Sequence, residues 1–196
     1  MKHELEIEFK NMLTADEFSR FTTAFAVRDE EWDVQQNYYF DTPDFQLKQQ
    51  KSALRIRFKN GSYTLTLKQP YEDGLLETHE PLTSETATAL ISGATSLQGD
   101  IANILQALHI DPTAIVCFGS LTTRRAERPY KNGTLVFDYS EYMNVADYEV
   151  EYEANERAEG EKTFTQLLES FHIPKRKTKN KIERFYEAKY ETERSS

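Results

Sequence analysis

The chain has 196 residues, of which 38% are hydrophobic and 12% aromatic, enough to bury a core and too apolar for a disordered segment. A formal net charge of −9 argues against nucleic acid or an anionic membrane as the main partner. One cysteine, Cys117, excludes an internal disulfide; with no signal-like leader and no apolar run near the ~20 residues of a membrane helix, the expected location is the cytoplasm.

In chain order, residues 3–10 alternate strictly: Leu5, Ile7 and Phe9 on one strand face, Glu4, Glu6, Glu8 and Lys10 on the other. Thr14 to Glu17 reads as a capping box, and Phe18, Phe21 and Phe25 follow at helical spacing. A strand over 35–41 should stop at Thr42-Pro43. The run 54–59 alternates again, Asn60-Gly61 signals a hairpin, and 63–68 is the return strand. A loop containing Pro70 and Gly74 leads to a short strand over 75–80. Helices are expected over 84–91 and 101–108.

Three further strands follow, over 115–128, 134–142 and 145–153, with Asn132-Gly133 turning the first into the second. Phe164, Leu167, Leu168 and Phe171 mark another helix. The basic stretch 175–181 leads into a last helical segment over 182–190, and 191–196 reads as a frayed polar tail. About eight hairpin-joined strands with no Gly/Pro-rich linker predict one α+β domain over 1–196, on a large antiparallel sheet that is curled or closed. Cys117 and the set Tyr38, Phe40, Phe58 and Tyr63 read as packing residues. The four histidines form no ligand spacing, although His79 shares a strand face with Glu77.

The polar faces of these strands are close to single-signed. Glu4, Glu6 and Glu8 share one; Arg55, Arg57 and Lys59 share another; Thr64, Thr66 and Lys68 a third; Asp147, Glu149, Glu151 and Glu153 a fourth. Like charges at i and i+2 lie about 7 Å apart and repel. Carboxylate rows can be neutralised by a hard divalent cation, and Arg/Lys rows by a phosphate chain. A solvated strand face is the plain alternative for any single row.

The segment Glu6-Ile7-Glu8-Phe9-Lys10 resembles the ExExK motif of the CYTH superfamily, the triphosphate tunnel metalloenzymes. The similarity continues in order through Arg55-Ile56-Arg57, the strand ending in Lys68, Leu76-Glu77, Arg125, Val136-Phe137-Asp138, Glu149-Val150-Glu151 and Lys179-Asn180-Lys181, so that it covers residues 3–182. The resemblance implies an eight-stranded antiparallel closed barrel, a tunnel with helices between and after the strands, and metal-dependent chemistry on a triphosphate.

By the same resemblance Glu6 and Glu8, with Glu149 or Glu151, are expected to bind metal, Mg2+ or Mn2+ and two ions in all. Lys10, Arg55, Arg57, Lys68, Arg125 and Lys179 are expected to cradle the phosphates, with Lys59 and Lys181 as weaker candidates. Asp138, Glu77 and Glu149 or Glu151 are expected to hold the second metal and position the attacking water, Asp138, Glu77 and Glu151 being the catalytic choice. One departure stands out: the sixth strand reads Thr123-Arg124-Arg125 where the family often has Lys-x-Arg, and alternation points Arg124 outward. The expected activity is hydrolysis of inorganic triphosphate or a small organic triphosphate such as thiamine triphosphate. An adenylate cyclase of the class IV type and a non-catalytic sensor of polyphosphate or nucleotide are the alternatives. Neither nucleic acid nor membrane is expected as a partner, and the oligomeric state is left open.

Overall fold

A computed structural model describes residues 2–72 and 74–194, with backbone alone for 191–194. Its strands are β1 (Lys2–Leu13), β2 (Asp33–Asp41), β3 (Ala53–Lys59), β4 (Ser62–Tyr71), β5 (Gly74–Leu82), β6 (Val116–Tyr130), β7 (Gly133–Tyr142) and β8 (Val145–Ala154). The helices are α1 (Ala15–Ala24), a single turn α2 (Gln46–Gln49), α3 (Ser84–Ile91), α4 (Asp100–Ala107), α5 (Arg157–Ser170) and α6 (Lys181–Arg194). Hydrogen bonding joins the strands in the order β1-β5-β4-β3-β2-β6-β7-β8 and closes on itself, giving an antiparallel closed barrel in an α+β fold. No helix among the described residues is long and apolar enough to cross a membrane.

Two compact units divide the chain: residues 1–5 with 35–121, and residues 6–34 with 122–196. In the first, Leu54 and Ile56 of β3 and Leu65 and Leu67 of β4 are buried with Ala87, Leu90, Ile101, Ala102 and Leu105 of α3 and α4. Tyr38, Tyr63 and the half-buried Cys117 pack against this core, and Phe40 belongs to it. Each fully buried aliphatic side chain contributes about 1.5–3 kcal/mol. The apolar phase of these strands is thereby taken up by helices. The charged phase is left on the other face, with β3 and β4 paired Arg55↔Thr66 and Arg57↔Thr64.

The second unit repeats the arrangement. Leu135, Phe137, Val150 and Tyr152 of β7 and β8 are buried with Phe18 and Phe21 of α1 and Phe164, Leu167 and Leu168 of α5. The α1 start is the expected capping box, with Thr14 accepting from the Glu17 N–H and Glu17 accepting from the Thr14 N–H. Leu5, in the first unit, departs from the expected apolar face: it is 49% exposed.

Two turns differ from expectation. Where a loop was expected around Pro70, β4 continues through Pro70 opposite Leu75, and Tyr71 pairs directly with Gly74. The β6–β7 hairpin turns on Lys131-Asn132, one residue earlier than expected, because Tyr130 already pairs with Gly133. Lys131 takes the left-handed φ of +49°, and Gly133 lies in the strand. There a Cβ would stand 2.3 Å from the Glu153 carbonyl oxygen, so Gly133 is required by close approach. By contrast Asn60-Gly61 turns as expected, with φ of +50° and +77°. Helix α6 extends four residues past the expected 190; Ser195 and Ser196 of the expected frayed tail lie outside the described residues.

Candidate functional site

In the first unit the cross-strand partners Lys68 and Glu77 form an ion pair, Nζ to Oε1 at 2.8 Å. Arg55 approaches the same carboxylate at 3.9 Å. His79 lies on this face as alternation expects, with Nε2 3.2 Å from Glu77 Oε2 and Nδ1 3.0 Å from the Thr66 hydroxyl. Burial alone would raise the Glu77 carboxyl, but Arg55 and Lys68 overrule it and hold it down to about 2. Arg57 donates from Nε to Asn37 Oδ1 at 3.0 Å. Three basic groups and one ionised carboxylate therefore share a half-buried polar face.

In the second unit the register sets Arg125 opposite Asp138 and Asp138 opposite Glu149. On the β1 side it sets Lys10 opposite Glu151 and Glu8 opposite Glu153. These residues share one strand phase, which the sequence alternation anticipated. Lys10 pairs with Glu8 at 2.5 Å. The Arg125 guanidinium forks onto Asp138 at 2.8 and 2.6 Å and reaches Glu151 at 2.8 Å. Burial raises the Glu153 carboxyl against the pull of Arg125, and Glu6, also in this unit, pushes it further up with Glu151 and Glu127, to about 7.

Asp138, Glu149 and Glu151 each offer a carboxylate oxygen within 4.8 Å of the other two, and all three are buried. Burial opposes the charge of Asp138 and Glu151, but Arg125 and Lys181 hold Asp138 ionised, and Lys181 and Arg125 hold Glu151 well below the usual carboxylate range. Glu149 Oε1 is buried and has no hydrogen-bond partner among the described residues. An all-oxygen set with one unsatisfied oxygen fits a hard divalent cation such as Mg2+ or Mn2+, which takes carboxylate ligands. The residues present thus fit a divalent ion, on a set that adds Asp138 to the expected Glu149 and Glu151.

The lysine among these carboxylates is Lys181, the weaker candidate of the sequence reading. Its Nζ lies 2.8 Å from Asp138, 2.8 Å from Glu149 and 2.7 Å from Glu151. Lys179, the stronger candidate, is 53% exposed and pairs with Glu187. Arg184, one turn further along α6, donates to Asp147 and Glu149 at 2.8 Å each. Sequence reasoning missed it, although its spacing of three from Lys181 on a helix was the available signal. At the departure on β6, the Thr123 hydroxyl bonds Ser140 at 3.0 Å, and Arg124 is exposed.

A CYTH domain family model matches residues 4–186. The Bacillus subtilis (strain 168) protein YjbK, named provisionally as a triphosphatase, is 50% identical over 96% of this chain and 98% of its own. A crystal structure from Bacillus halodurans, named provisionally as an adenylate cyclase, superposes with a TM-score of 0.90 at 39% identity, covering 95% of this chain and all of that one. A Hippeastrum protein described as a provisional adenylyl cyclase with a dominant triphosphatase activity shares the fold, with a TM-score of 0.76 at 22% identity over 94% of this chain and 96% of that one. With a family model spanning nearly its whole length and a relative half identical to it, this chain belongs to the CYTH domain family.

Proposed function

We propose that the protein is a metal-dependent triphosphatase acting on inorganic triphosphate or a small organic triphosphate. The observation that carries this reading is the buried trio Asp138, Glu149 and Glu151, with its unsatisfied Glu149 oxygen. The name of the half-identical Bacillus subtilis relative supports the same reaction.

Asp138, Glu149 and Glu151, with Glu6 and Glu8, would hold Mg2+ or Mn2+, two ions in all, and Asp138, Glu77 or Glu151 would position the attacking water. Such an ion, when bound, supplies charge neutralisation for phosphoryl oxygens and acidifies a coordinated water. The remaining work belongs to the chain's own groups. Arg55, Arg57, Lys68 and Lys10 bind phosphate oxygens, the arginines through paired N–H donors and the lysines as point charges. Arg125 holds Asp138 and Glu151 ionised and adds charge to the phosphate cradle, while the exposed Lys179 keeps at most an outer contact with substrate. An ionised carboxylate, Asp138 or Glu151, accepts a proton from water as its oxygen bonds to the terminal phosphorus; the phosphoanhydride bond breaks, and pyrophosphate leaves with the bonding electrons.

The name of the Bacillus halodurans relative keeps a cyclase as the second reading. A panel of triphosphates assayed with Mg2+ and with Mn2+ separates the possibilities. Hydrolysis of inorganic or thiamine triphosphate releases phosphate, as the proposal requires. Pyrophosphate and a cyclic nucleotide from ATP would identify a cyclase, and no turnover of any member would indicate a sensor.

A further inference from the structure

Helix α6 is laced to the end of β1 before it reaches the acidic trio. The fully buried Asn11 donates from Nδ2 to the Pro174 carbonyl at 3.1 Å and accepts the Arg176 backbone N–H at 2.6 Å. The Met12 N–H donates to the Thr178 hydroxyl at 3.0 Å. The Arg176 guanidinium forks onto Glu17 at 2.7 and 2.9 Å and reaches the Met12 carbonyl at 2.8 Å. These bonds anchor residues 174–178, just before α6 begins at Lys181.

The first residue of α6 is Lys181. Its ammonium is held by one oxygen from each of three carboxylates, at 2.7–2.8 Å. That is the central position, and the sign of charge, that a divalent ion bound by the same oxygens needs. Two cations cannot share it. Like charges at such distances in a poorly solvated site repel strongly, and an ammonium leaves no room for a metal–oxygen bond of ~2.1 Å.

We infer that Lys181 is an intramolecular competitor for the divalent ion, and that the 174–178 strap sets how strongly it competes. Metal binding therefore moves Lys181 off the trio and loosens the start of α6, while metal loss lets the helix dock and neutralise the carboxylates. The inference rests on the metal reading proposed above. The apparent metal affinity is the intrinsic one reduced by the fraction of molecules in which the trio is clear of Lys181.

The test uses Mn2+ alone, with free ion measured by electron paramagnetic resonance, on the full chain without substrate. Wild type is compared with Lys181→Met, which removes the competing charge, and with Arg176→Met, which keeps that charge and loosens the strap from a distance. Hydrogen exchange of residues 181–190 is followed in wild type with and without Mn2+. Expected are about tenfold tighter binding for K181M, about threefold tighter for R176M, and faster exchange at the start of α6 when Mn2+ is added. Tighter binding by K181M alone, with R176M and the exchange unchanged, would reduce Lys181 to a fixed nearby charge and overturn the inference. Equal affinities throughout would overturn it and leave the metal reading standing. If neither wild type nor K181M binds Mn2+, the inference and the metal reading fall together. Should K181M fail to fold, R176M and the wild-type exchange decide the matter.

Discussion

Glu77 shows how a single carboxylate on these strands is conditioned by its neighbours. Lys68 at 2.8 Å and Arg55 at 3.9 Å hold it to about 2 against the effect of burial. A carboxyl lowered from 4.5 contributes stability that is complete above pH 4.5 and is lost as pH falls through 2. Glu77→Gln should therefore flatten the acid limb of the stability profile between those values, measured as Tm against pH; an unchanged limb would contradict the pairing. For binding and chemistry the proposed roles differ. Arg57→Ala should raise KM about tenfold with kcat nearly kept, whereas Glu151→Ala should lower kcat by about 100-fold or more, both read from steady-state phosphate release. The strand residues were legible because alternation fixes which side chains share a face: Arg55, Arg57 and Lys68 in one unit, and Glu8, Lys10, Asp138, Glu149 and Glu151 in the other. Lys179 was ranked above Lys181, the lysine that meets the trio, because residues 174–180 are irregular and carry no period that would tell which of the two points there.

Among the elements, the strands were located mainly by their two-residue period, and their ends by turn chemistry. Asn60-Gly61 gave the correct hairpin because both residues accept positive φ. Asn132-Gly133 misled by one position, since Gly133 is demanded by the approach of Glu153 and Tyr152 and the turn falls on Lys131-Asn132. Close approach of this kind leaves no local mark in a sequence. A second case lies in α5, where a Cβ on Gly160 would stand 2.5 Å from Ala154 Cβ and 2.7 Å from the Phe9 ring. Gly160→Ala removes helix-weakening entropy yet forces α5 away from β8 and β1, and the crowding should prevail, costing about 1–3 kcal/mol. Chemical denaturation should show the lower midpoint; a midpoint at or above wild type would mean that α5 adjusts without strain.

For the whole molecule, the net charge of −9 is concentrated by the fold, which turns apolar strand faces toward helices in each unit and leaves charged faces opposite. Carboxylates of the second unit, Glu6, Glu8, Asp138, Asp147, Glu149, Glu151 and Glu153 among them, share a strand phase with Lys10 and Arg125, and α6 adds Lys181 and Arg184 from outside the strands. Removing divalent ions with a chelator should abolish turnover while far-ultraviolet circular dichroism stays unchanged, because cations of the chain neutralise the trio without metal. Loss of the circular dichroism signal on chelation would instead make the ion part of the fold. The central claim, a site built for three linked phosphates, is tested most directly by comparing kcat/KM for inorganic triphosphate and pyrophosphate under the same Mg2+ or Mn2+ concentration. Pyrophosphate would leave several of the basic groups unmatched in poorly solvated surroundings, which costs free energy. The account predicts cleavage of triphosphate to pyrophosphate and phosphate, with pyrophosphate at least about 100-fold worse as a substrate and a weak inhibitor; comparable values for the two would contradict it.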